Sequence, residues 1–234
     1  MSVEITREGW GRGPMTRKHY CEELKMLSDS LTQMATSVET MLILATQSLE
    51  LGSTEMAEIL LRGSESVDVC EIEIEKHCLE IIALQQPVGR DLRLISGSVA
   101  IAMDLQRIGE HARKIARITC ELPTGGRGQT PNELRSMTDA VRGMVHSVVS
   151  ILETQALDGA SGVTLAGLEA EDALADLRTS AHAAMARGSA ESVTASYLLS
   201  AAHHLTESAG LAVDITERLS YAMTGRSSRA LPAM

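Results

Sequence analysis

Carboxylates recur at helical spacing in two separate stretches of the chain: Glu65, Asp68 and Glu75 in the first, Glu169, Asp172 and Asp176 in the second. Residues three, four or seven positions apart share one face of an α-helix, so each trio forms a patch of like charge. A polyvalent cation or a basic partner would relieve the repulsion. Oxygen-only ligands favour a hard ion such as Mg, Ca, Mn or oxidised iron. The same spacing also describes a solvated acidic face in a chain of net charge −10, and the pattern alone leaves both open.

A third charged stretch, "MDLQRIGEHARKI" from 103 to 115, adds Asp104, Arg107, Glu110, His111 and Lys114. Its spacing predicts ordinary surface ion pairs, Asp104 with Arg107 and Glu110 with Lys114, each contributing about 0.3–0.5 kcal/mol. None of the seven histidines has a glutamate three residues before it, which removes the Glu-x-x-His signature of a di-iron bundle. His203 and His204 project about 100° apart on a helix and cannot chelate one ion together, so one of them should face water. The sequence contains no GxSxG, HExxH, phosphate loop or dinucleotide fingerprint, and "GGRG" at 125–128 follows no strand; no enzymatic reading emerges.

The elements that must position these residues are helical. Aromatics are 2% of the chain, Phe is absent and Met numbers 12, a palette suited to helix-on-helix packing. After a Gly-rich extension over 1–14, Leu24, Leu27, Leu31, Met34, Val38, Met41 and Ala45 step by three and four and predict a helix ending near Leu51 and Gly52. Ser53 or Thr54 caps a second, to about Leu84, and Pro87 opens a third over 87–121. "ELPTGGRGQTPNE" reads as a flexible linker closed by a capping box of Thr130, Pro131 and Glu133. A fifth helix is expected from Val163 to Arg187, with Gly188 closing it and Ser189 capping a sixth, and the tail after Thr224 as disordered.

The chain also repeats itself. "ELKMLSDSLTQMATSVETML" (23–42) lies over "ELRSMTDAVRGMVHSVVSIL" (133–152) without a gap and with seven identities, and Leu105, Ala112 and Ile115 lie over Leu205, Ala212 and Ile215. The expected fold is therefore all-α: two tandem three-helix bundles, six long helices in all, related by duplication and pseudo-twofold symmetry. The units are 15–122 and 132–224, joined by 123–131 and followed by a tail over 225–234. The acidic balance argues against nucleic acid as a partner, and no apolar run is long enough for membrane insertion. Cys21, Cys70, Cys78 and Cys120 form no CxxC pair and read as reduced core thiols.

"CLEIIALQQPVGRDLRLISGSVAIAMDLQRIGEHARKIA" (78–116) resembles the signature of the PhoU family of phosphate-uptake regulators, in which "QQPVA", "DLR" and "LERIGDHAVNIA" follow in that order. The resemblance implies a non-enzymatic negative regulator of phosphate uptake in the cytoplasm, reaching the inner membrane face only through partners. Those partners would be the ATPase of the phosphate ABC transporter and the sensor histidine kinase of a two-component system, with the regulator a homodimer. Arg90, Asp91, Arg93 and Arg107 are candidate partner contacts, Asp91 and Arg93 being equally suited to decorating a helix start. The family also implies metal (Mg, Mn, Zn or Fe) on acidic helix faces through a Glu/Asp-x-x-x-Asp motif. Here Gln106 and Glu110 stand at its two acidic places, and Thr206 and Gly210 at those of the second half. The remaining candidate ligands are Glu65, Asp68, Glu110, Glu169, Asp172 and Asp176. Competing readings are a metal storage or redox bundle, and a family member redirected to another regulatory target.

Overall fold

The computed structural model describes residues 17–187 and 190–226, all of them in helices and short connections. Seven α-helices follow in order: α1 Arg17–Leu51, α2 Thr54–Gly63, α3 Glu65–Gln85, α4 Gly89–Glu121, α5 Asn132–Thr154, α6 Ala160–Arg187 and α7 Ala190–Thr224. The six-helix plan holds with one interruption, because the expected second helix is divided into α2 and α3. The division falls where helix propensity is poorest. Gly63 contributes no side chain, and the Ser64 hydroxyl turns back to donate to the Leu61 carbonyl (3.3 Å). Ser64 is buried there, and its own carbonyl is left for a side chain to bind.

Local chemistry sets most helix ends, though not always as the sequence suggests. Ser53 caps α2 through its side chain, accepting from the Met56 amide. Pro87 precedes the helix it was expected to open, and α4 begins two residues later at Gly89. The capping box before α5 does not form. Pro131 occupies the N-cap position without a side-chain bond, and the Thr130 hydroxyl donates instead to the Leu49 carbonyl (3.3 Å), tying the linker to the end of α1. The linker is packed rather than loose. It contains a 3-10 turn over Thr124–Gly126, and Arg127 donates back to the carbonyls of Leu122 (3.0 Å) and Cys120 (3.3 Å). The expected extension over 1–14, the Gly188–Ser189 turn and residues 227–234 of the expected tail lie outside the described residues.

Gly52 shows how closely the linker approaches α1. Its φ is +66°, and a Cβ there would lie 2.7 Å from the backbone nitrogen of Gly128. Gly52→Ala combines left-handed strain with a backbone clash and is expected to cost about 2–4 kcal/mol, read as a lower urea midpoint with unchanged slope.

Two units, the first of four helices because its second helix is divided and the second of three, share one core. In the first, α4 packs on α1, α2 and α3; in the second, α5, α6 and α7 pack on one another. The units join through two seams, α4 against α7 and α1 against α5. Facing pairs along the first seam run Gly97 with Ala222, Asp104 with Arg218, and His111 with His204, so the helices are antiparallel. Duplicated helices that meet antiparallel across a common centre give the pseudo-twofold arrangement expected from the repeat. Of the cysteines only Cys78 is buried, its thiol pushed up to about 12 by burial, while Cys70 and Cys120 are half-buried and Cys21 is exposed. All four are free; Cys70 and Cys120 pack against the core from its edge, and the core reading fails for Cys21.

Candidate functional site

The most connected polar cluster lies where α3 and α4 meet, and its centre is Arg113. This residue is 7% exposed, which for an arginine demands partners on every side. Its guanidinium donates to both oxygens of Asp68 (3.1 and 3.0 Å), to Glu110 Oε2 (2.9 Å) and to the Ser64 carbonyl (3.1 Å). Gln106 adds a donor from its side-chain amide to Asp68 Oδ1 (2.8 Å). The α2–α3 break is what makes this geometry available, since it frees the Ser64 carbonyl. Bonding to Arg113 holds the Asp68 carboxyl below the usual range against the opposing effect of burial. For Arg113 burial works against the charge, but Asp68 and Glu110 outweigh it and raise its pKa.

Glu110 meets three cations: Arg113, Lys114 at 3.9 Å and Arg117 at 3.8 Å. The expected Glu110–Lys114 pair is thus present as the weaker part of a larger network. A metal ion at this place would face Asp68 and Glu110 with their acceptors already engaged and a fixed positive charge between them; the residues do not fit one. Glu65 and Glu75 point to solvent, as do Glu169, Asp172 and Asp176 on α6. Among the described residues, no three or more His, Cys, Asp or Glu side chains are grouped so as to hold a metal ion.

The α4–α7 seam carries the second cluster. Asp104, expected as a surface partner of Arg107, is 6% exposed. Arg107 stands 3.7 Å away, whereas Arg218 of α7 donates to it at 2.9 Å. Burial raises the Asp104 pKa, and the attraction of Arg218 offsets this only in part. The pair therefore orients the seam more than it stabilises it.

Nearby, His111 Nδ1 and His204 Nδ1 are 3.2 Å apart with ring centroids 5.3 Å apart. One ring must donate and the other accept, which requires a neutral imidazole. Burial, reinforced by His204 and Lys114, lowers the His111 pKa to about 4 from an ordinary 6.5; His204 is lowered as well. His203, the residue before His204, is exposed, as the helical geometry predicts for one member of that pair. Because His111 binds its proton more weakly folded than unfolded, its contribution to stability is complete above pH 6.5 and is lost as pH falls toward 4. His111→Gln is expected to flatten the fall of thermal midpoint across that window relative to the unsubstituted protein.

The candidate partner contacts separate into two classes. Arg90 and Arg107 are exposed on α4, Arg107 with its inner side 3.7 Å from Asp104. Asp91 accepts from the Tyr20 hydroxyl (3.0 Å), and burial followed by this bond raises Tyr20 to about 12. Arg93 lies over the Tyr221 ring, 5.9 Å from its centroid, with its Nε buried and unbonded. These two anchor the ends of α1 and α7 to the start of α4. Among the described residues no helix is long and apolar enough to cross a membrane.

The stretch from α1 to α4 is similar in sequence to known proteins. The model of the PhoU domain family matches residues 31–119. An accessory protein of the phosphate-specific transport system from Clostridium acetobutylicum, a PhoU homologue, is 31% identical over 147 residues, 62% of this chain and 67% of that protein. The chain belongs to the PhoU family. A PhoU homologue of the same description from Aquifex aeolicus is 32% identical over 137 residues, covering 58% of this chain and 62% of its own length. Crystal structures of PhoU from Streptococcus pneumoniae and Pseudomonas aeruginosa share the fold, with TM-scores of 0.81 and 0.83 over 90% and 88% of this chain and all of theirs, at 22% and 23% identity.

Within the PhoU frame, sequence reasoning missed Arg113 and the contact of His204 with His111. A signal for Arg113 was present: the family pattern "LERIGDHAVNIA" has valine where this chain has arginine. An arginine replacing an apolar residue beside a buried seam must find acids. For His204 no local signal exists, because its partner lies 93 positions away.

Proposed function

We propose that the protein is a non-enzymatic adaptor of phosphate homeostasis, restraining phosphate uptake and the phosphate-starvation response by linking a phosphate ABC transporter to a two-component sensor kinase. The observation that carries this reading is the PhoU-domain match across α1–α4, together with relatives described as accessory proteins of the phosphate-specific transport system. The shape of the site supports it. Its acids are occupied by internal cations, and the exposed residues of α4 include Arg90 and Arg107, suited to an acidic face of a partner protein. Such a molecule would act in the cytoplasm, as a homodimer, and reach the membrane through the transporter. The reading requires no bound metal.

Deleting the protein is expected to raise a phosphate-starvation reporter in high phosphate, and the tagged protein should retain the transporter ATPase and the kinase on co-purification. Unchanged repression together with loss of both partners would overturn the proposal. Arg90→Glu with Arg107→Glu, both exposed, is expected to lose partner retention without changing the thermal midpoint by more than about 4 °C, as surface substitutions cost within about 0.5 kcal/mol each.

A further inference from the structure

We infer that Arg113 is a built-in cation that takes the place of a metal ion on the α3–α4 face, so that this half of the protein is assembled without metal. Three observations converge. The guanidinium sits between Asp68 and Glu110 and donates to both, with its charge buried and its position fixed by the Ser64 carbonyl. Gln106 supplies a donor to Asp68 at the position where a second carboxylate would add a ligand. Both Asp68 oxygens thus receive hydrogen bonds from protein donors, and an incoming ion would have to displace them.

Arg113 and Gln106 act in concert. A guanidinium presents several donors in a plane and keeps its charge at every physiological pH, which suits it to bridging two carboxylates permanently. A bound ion would do the same electrostatic work only while it was present. With an acid at 106, three carboxylates would meet Arg113, Lys114 and Arg117; with the amide, two do. The amide at 106 and the arginine at 113 together supply the donors that neutralise Asp68.

The test is manganese binding to the full chain, followed by calorimetry and elemental analysis, with Asp68→Asn in each background to isolate this face from the exposed acids of α6. The unsubstituted protein is expected to take up no manganese that Asp68→Asn abolishes, and its thermal midpoint should not respond to chelator. Gln106→Glu, which restores the acid but leaves the arginine, is expected to behave the same way. Arg113→Met, alone or with Gln106→Glu, should lower the midpoint without metal and gain manganese uptake that Asp68→Asn abolishes, since two carboxylates lose their bridging charge. Manganese uptake sensitive to Asp68→Asn in the unsubstituted protein or in Gln106→Glu would overturn the inference, and that arm does not depend on the arginine variants folding. A folded Arg113→Met/Gln106→Glu protein that gains no such binding would overturn it equally.

Discussion

Replacing Leu105 by alanine is expected to cost about 2–5 kcal/mol, the range for truncating a fully buried leucine that leaves a cavity. Leu105 is completely buried on α4, the helix that packs against α1, α2, α3 and α7. Its loss therefore loosens the first unit and the seam to the second together. Thermal midpoints of chains of this size move by about 2–4 °C per kcal/mol, so a fall of about 5–15 °C should be seen by circular dichroism. Leu205, its counterpart in the repeat, is equally buried on α7, and Leu205→Ala should fall in the same range. A shift under 2 °C at both positions would show that the α4–α7 seam is not the common core of the two units.

Leu105 also marks what the sequence could reveal. Apolar residues stepping by three and four along α1 and α4 are a one-dimensional pattern, and burial follows from it directly, as Leu105, Ile108, Ala112 and Ile115 show. The repeat between 23–42 and 133–152 could likewise be read in one dimension, which is why the two-unit plan was accessible before any coordinates. Asp104 was not. Its nearest charge in sequence is Arg107, three residues away, yet the bond that matters comes from Arg218 at a separation of 114. Which polar side chain faces another helix depends on the rotation and sliding of two rods, and neither is written in either rod alone.

The helix ends fail for a related reason. Thr130 has the chemistry of a cap, and Glu133 stands at the capping-box distance, but the hydroxyl finds the Leu49 carbonyl once α1 and α5 are side by side. Tertiary contact outcompetes a local bond of similar strength. At Ser64 the opposite holds: poor propensity at Gly63 and Ser64 breaks the helix, and the freed carbonyl then becomes part of the Arg113 cluster. Asp68, a candidate metal ligand by its spacing, is bonded to Arg113. Its partner is an arginine of the same chain, and a pattern search restricted to acids could not find it.

The second large effect is expected at Arg142, which holds the α1–α5 seam. Its Nε donates to the Thr46 hydroxyl at 2.8 Å, and its Nη2 lies 3.5 Å from the Ile43 carbonyl and 3.6 Å from Glu50. Glu50 Oε1 is buried without a hydrogen bond, so this ion pair is what compensates it. Asp139, also 3.6 Å from Arg142, is exposed and contributes little. Removing one member of a buried pair costs more than the pair itself contributes, because the remaining charge keeps its desolvation penalty. With both side chains of Arg142 and Glu50 still partly wetted, Arg142→Ala is expected to lose about 2–4 kcal/mol. The discriminating measurement is the double-mutant cycle with Glu50→Gln. If the stranded carboxylate is the cause, neutralising it should recover at least about 1 kcal/mol of the Arg142→Ala loss in urea denaturation. Additive losses would instead assign the effect to the bonds with Thr46 and Ile43, and Thr46→Val would then reproduce most of it.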